Sequence, residues 1–356
     1  MVYAHAFDGF IWAVEVATLT LGGVVLLLAI FVVALRLRFD AVARRRTKLI
    51  EQWTAIFRGE RDDLPALRGE DRYTVLLLYD RIRGDLDSSR SLIAREHADE
   101  IARRAKIDGF AAGLLTSRDD ADLIAALSVL GKLGDLRAVG PAARYGNAGG
   151  TELSRTAAEA SLRLSPDSVG RVIALVRDRE DWVSSRVESM LRLASQPVLD
   201  DAMSEAISSS PARGRIRLLD FLRCCSAPAA RSIARGLVSD ETDPEVVAAA
   251  IRALSGVAEP SDDARIRPFL LSPDPFVRLA ALRIMRRVAS PQDAPVLGSL
   301  AMDNDSWVRR RAAEALVALD ERMRSSGTEE TVSEADPFAR DAIVEARATM
   351  LPVPIS

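Results

Sequence analysis

The chain has 356 residues, length enough for two or three domains, and it is 48% hydrophobic but only 5% aromatic, a balance that favours close-packed helices over a β-sandwich. Its net charge is −3, and since one short segment described below carries +5, the remainder is acidic and excludes nucleic-acid binding through a basic surface. Two histidines and one adjacent pair of cysteines, Cys224 and Cys225, exclude a His-rich metal centre and a disulfide framework, and point to a reducing compartment with the two thiols as small core residues.

Residues 1–10 hold no lysine or arginine and form a short external N-terminus. From Ile11 to Leu35 the sequence is apolar apart from Glu15. As a helix this stretch is about 37 Å long, enough to cross a hydrocarbon core of about 30 Å with some tilt. Arg36, Arg38, Arg44, Arg45, Arg46 and Lys48 follow it against Asp40 alone. Positive charge stays on the cytoplasmic side, so the expectation is a single-pass anchor in a bacterial inner membrane, N-terminus outside and the rest of the chain in the cytoplasm. A cleaved signal peptide would have a basic start and a shorter apolar run. Glu15, Thr18 and Gly22 share one helix face, with Gly23 beside it. Two readings fit that stripe: close packing against another membrane helix, or a Glu15 that reaches the outer interface.

Residues 36–118 make a basic juxtamembrane segment and a helical connector or cap, with four helices expected at IEQWTAIF, TVLLLYDRIRGDL, SRSLIAREHADEIARRA and GFAAGLL. Beyond it the sequence repeats itself. DPEVVAAAIRAL from Asp243, DPFVRLAALRIM from Asp274 and DSWVRRRAAEAL from Asp305 align without gaps, 31 residues apart both times. Within them Val246, Ala250 and Leu254, then Val277, Ala281 and Met285, then Val308, Ala312 and Leu316 recur every fourth residue and so share a helix face. Fainter copies precede them, among them Val183, Val187 and Leu191, and the first complete unit begins at Asp120. Shorter helices start at Ser165, Ser195, Ser226 and Ser290, each with a proline close behind. Each period is therefore two antiparallel helices, which bury their apolar faces only by stacking. Residues 319–356 are an acidic linker, a short helix capped by Asp336, and an extended tail.

The Asp-Pro-x-Val-Arg string at Asp274 to Arg278, its near copy at Asp305 to Arg309, and LGDLRAV at Leu133 to Val139 resemble HEAT repeats of the short bacterial type, the kind also found in bilin lyase-like proteins. The resemblance implies an all-α fold: a single N-terminal transmembrane helix followed by an α-solenoid of about six HEAT-like helix pairs over residues 119–318. It also implies a structural ladder between neighbouring repeats from Asp243, Asp274, Arg278, Asp305 and Arg309.

Catalytic machinery is not expected. A nucleotide-binding glycine loop is missing, C-x-x-C spacing is missing, and the carboxylates are spread over solvated helix faces. No cofactor, no metal and no nucleic acid is expected. The expected function is that of a scaffold for protein–protein interaction, recruiting an integral membrane protein at the membrane face. The layout is similar to that of inner-membrane HEAT proteins associated with glycosyltransferases and exopolysaccharide export. The alternative is a HEAT-repeat enzyme of the bilin lyase-like type. The expected partner surface follows the second helix of each pair through Arg137, Arg144, Tyr145, Arg171, Arg177, Arg231 and Arg235.

Overall fold

The computed structural model describes the backbone of residues 2–89, 91–148, 150–325 and 344; in its first helix, side chains are described at Leu21 and from Leu26 onward. All regular structure among the described residues is helical, in seventeen α-helices and six short 3₁₀ turns. They divide into two compact units, Met1–Asp135 and Leu136–Ser356.

The first unit contains α1 (Val2–Phe57), α2 (Gly69–Ser89), α3 (Leu92–Arg104), α4 (Ile107–Leu114) and α5 (Asp120–Leu133). The expected separate helix at IEQWTAIF is the C-terminal end of α1. From Arg36 to Phe57 there is neither glycine nor proline, so nothing interrupts the helix until Gly59, whose φ of +75° turns the chain. Trp53 and Phe57 are buried there, and Phe57 meets Tyr79 of α2 with ring centroids 5.7 Å apart. α5, expected to open the solenoid, packs on α2 and α4 within this unit. Asp80 of α2 explains why: it accepts from Lys132 at 2.7 Å and from Ser128 at 2.5 Å, while Arg103 of α3 donates to the Leu133 carbonyl.

Among the described residues no helix is long and apolar enough to cross a membrane. The side chains of most of the expected 11–35 span, including Glu15, Thr18, Gly22 and Gly23, lie outside the described ones, and so does the expected Asp336-capped helix and tail.

The second unit contains α6 (Val139–Ala148), α7 (Thr151–Leu164), α8 (Val169–Asp178), α9 (Ser184–Leu191), α10 (Gln196–Ser209), α11 (Ala212–Leu219), α12 (Ala227–Asp240), α13 (Pro244–Leu254), α14 (Asp263–Ile266), α15 (Pro275–Val288), α16 (Ala294–Leu300) and α17 (Ser306–Ser325). Alternate helices stack on one another: α11 on α13, α13 on α15 and α15 on α17 in one layer, α8 on α10 and α10 on α12 in the other. This is a solenoid, in which each helix pair is covered by its neighbours. Every member of the three aligned trios is buried, from Val246 to Leu316. In the fainter copy Val187 and Leu191 are buried, but Val183 is an exposed helix cap.

Candidate interaction surfaces

The polar signature of the repeat does two jobs. Asp243, Asp274 and Asp305 are helix N-caps, accepting the backbone N–H of Glu245 at 2.9 Å, of Phe276 at 2.7 Å and of Trp307 at 2.8 Å. Rungs between repeats come from other carboxylates. Arg278 donates to Asp303 at 2.8 Å, and Arg309 bonds the carbonyls of Asp303 and Asn304. Arg235 donates to Asp262 at 2.6 Å, and Arg267 to Asp293 at 2.6 Å. Asp262 and Asp293 sit one repeat apart in the turns ahead of α14 and α16, where each also accepts the N–H that opens its own turn.

The arginines expected along the second helices divide between these internal contacts and solvent. Arg231 pairs with Glu259 at 2.7 Å and bonds the Val257 carbonyl, while Arg235 is held by Asp262 and Glu259. Both are turned into the next repeat. Arg177 pairs with Asp178 and lays its stem against Gly214 of α11, where a Cβ would meet the Arg177 Cδ at 2.9 Å. Arg137, Arg144 and Arg171 are exposed and Tyr145 is half-buried. On α1, Arg36, Arg38, Arg44, Arg45, Arg46 and Lys48 are all exposed, and Arg45 reaches Asp71 of α2 at 2.8 Å.

Two surfaces were not anticipated. The first is a cleft of about 630 Å³ lined by Ser255 at the end of α13, by Leu282, Arg283, Arg286 and Arg287 of α15, and by Arg311, Glu314 and Arg322 of α17. α15 carries four arginines and no acidic residue. That imbalance was visible in the sequence, hidden only because the repeat alignment directs attention to the apolar face.

The second is an apolar ridge. Phe276 is 72% exposed and Trp307 61%, in equivalent places two residues past the caps Asp274 and Asp305. Leu271 and Met302, five residues ahead of each aromatic, are exposed as well. A regular repeat puts the same position of successive units side by side, so a substitution kept in two units becomes a stripe.

The cysteines belong to the interior. Cys224 is buried, and burial pushes the Cys225 thiol up to about 12, helped by the nearby Asp200 carboxylate. Among the described residues no cluster of His, Cys, Asp or Glu has the makings of a metal site.

A family model described as HEAT repeats matches residues 239–318 and 265–346. The HEAT stretch covered by these two matches together holds both unanticipated surfaces. No curated protein sequence matches the chain. Among solved structures, an engineered protein aligns at 17% identity and a TM-score of 0.35, covering 85% of this chain and 88% of its own. Kap121p aligns at 13% identity and a TM-score of 0.46 over 86% of this chain, which spans 41% of the length of Kap121p.

Proposed function

We propose that the chain is a membrane-tethered scaffold: its first helix anchors it, and its HEAT stretch docks a protein partner at the membrane face. The docking half rests on the ridge of Phe276 and Trp307, since large aromatics on a surface of regular helices are the residue types that carry binding energy at protein interfaces. The HEAT architecture supports it, because stacked repeats present extended surfaces to other proteins.

The anchoring half rests on sequence and on the described part of α1. Leu26, Phe31 and Val32 point to different sides of that helix and all are exposed. A helix apolar all round needs an apolar surrounding. The six cations that follow orient it with the HEAT stretch on the cytoplasmic side. The partner class proposed on the layout is an integral membrane glycosyltransferase or export component.

The test is affinity purification of the full-length protein from native membranes after light crosslinking, with mass spectrometry of the eluate. A stoichiometric membrane protein that is lost with Phe276→Ser and Trp307→Ser is the expected result. Extraction of the protein by alkaline carbonate without detergent overturns the anchor. A bound pigment or other small molecule without any protein partner overturns the scaffold.

A further inference from the structure

Most described arginines of the second unit that reach across a repeat find a carboxylate. Arg235 has Asp262, Arg267 has Asp293 and Arg278 has Asp303, while Arg215 pairs with Glu241. The cleft between α13, α15 and α17 breaks this pattern. Its single carboxylate, Glu314, is buried and already taken by Arg311 at 2.5 Å and Arg310 at 3.4 Å. Arg283 and Arg286 are exposed with no carboxylate within reach among the described residues. Among the described residues, Arg287 bonds the carbonyls of Ser255 and Ala258 and no carboxylate. Arg322 likewise bonds those of Arg286 at 2.6 Å and Ala289 at 3.0 Å, with no carboxylate among the described residues. Its guanidinium is half-buried against carbonyl dipoles, and burial alone pulls its pKa below the ordinary arginine value.

Four guanidinium groups are thus gathered without an anion among the described residues. Bringing like charges together and desolvating one of them costs free energy, which an anionic ligand would return. We propose that this cleft binds an acidic segment of a partner protein, its carboxylates taken by Arg283, Arg286, Arg287 and Arg322. Four features favour a peptide. The space of about 630 Å³ accommodates several side chains. The cations are spread over more than a turn of α15 and onto α17, so they meet a series of anions better than a single one. The planar forks match carboxylates, as they do throughout this unit. The buried Leu282 gives the cleft an apolar floor for the stems between. The inference deepens the scaffold reading and rests on it for the protein nature of the ligand.

The test is fluorescence anisotropy with purified full-length protein in detergent and a labelled twelve-residue peptide in which glutamate alternates with glycine and serine. Arg283→Glu with Arg286→Glu, both exposed and unpaired among the described residues, should leave the fold intact and weaken binding by about tenfold or more. The same reversal at Arg144 and Arg171, exposed on α6 and α8, should leave affinity unchanged. Equal loss from both pairs, or no binding of the peptide, overturns the proposal. So does binding of inorganic pyrophosphate or phosphatidylglycerol vesicles in preference to the peptide. Binding seen only after Glu329, Glu330, Glu334 and Asp336 are neutralised also overturns it, because the cleft then belongs to the chain's own acidic segment. A negative result here combined with a partner in the membrane purification leaves the scaffold standing and removes only the cleft.

Discussion

Arg267 donates to Asp293 at 2.6 Å, and the same carboxylate, fully buried, accepts the backbone N–H of Ser290 at 2.8 Å. One side chain therefore closes the turn before α16 and ties it to the preceding repeat. Asp293→Ala leaves the Ser290 N–H without its partner and takes the counter-charge from Arg267. The expected cost is about 2–4 kcal/mol. Thermal unfolding followed by circular dichroism should show a markedly lower midpoint; a variant as stable as the parent would mean that the rung contributes nothing.

Acid should dissolve these rungs before it affects the apolar core. Burial works to raise the carboxyls of Asp262, Asp293 and Asp303, but the hydrogen bonds they accept, from Arg235, Arg267 and Arg278 and from backbone N–H groups, outweigh it and hold all three below the ordinary range. A folded-state pKa below the unfolded value means stability that is complete above about pH 4 and lost as pH falls through the lower, folded value. Unfolding free energy measured in denaturant should therefore fall steeply below that pH. The Asp262→Asn and Asp303→Asn double variant should be less stable at neutrality and show a shallower acid limb. An unchanged acid slope would assign the acid sensitivity to other groups.

The periodic apolar face was legible in the sequence because stacking makes the same demand of every unit. Val277, Ala281 and Met285 lie where their spacing of four puts them, and all are buried. The Asp-Pro signals marked helix starts for the same local reason. Partner choice was not legible. Which carboxylate meets Arg235 depends on a turn 27 residues later, and Arg278 finds Asp303 rather than one of the repeated aspartates, since those are spent on caps. Nor was the cleft legible, because Arg283, Arg286 and Arg287 of α15 form one surface with Arg311 and Arg322 only where α17 lies beside them. In the first unit, pattern alone assigned α5 to the solenoid, whereas the Asp80 contacts to Ser128 and Lys132 hold it to α2.

The alanine at the centre of each aligned trio sets the spacing between stacked helices. Ala250, Ala281 and Ala312 are all fully buried. Ala281→Leu pushes extra methylenes into a closely packed contact between α13, α15 and α17, at a cost of about 1–3 kcal/mol. Chemical denaturation should show the loss. A neutral outcome would require an unfilled space beside Ala281.

The adjacent thiols should be slow to react while the protein is folded. With the Cys225 thiol pushed up to about 12, by burial first, its thiolate fraction at pH 8 is far below that of a free cysteine, and burial raises Cys224 in the same direction. Alkylation of Cys225 by iodoacetamide should be roughly a thousandfold slower in the native than in the denatured protein. Mass spectrometry over a time course measures the ratio. Rapid native labelling would instead point to a redox role for the pair.

Phe276 and Trp307 separate stability from binding. Each exposes well over half its surface in the free chain, so truncation removes little that folding buries. Phe276→Ser and Trp307→Ser should each change unfolding free energy by no more than about 0.5 kcal/mol. At an interface the same rings would be buried on both sides, where loss of an aromatic anchor costs about 2 kcal/mol or more, roughly thirtyfold in affinity. The expected pattern is an unaltered melting curve with loss of the co-purified membrane partner. A fall in stability equal to the fall in partner recovery would show that the rings hold the helix starts of α15 and α17 in place, and would move the docking surface elsewhere on the HEAT stretch.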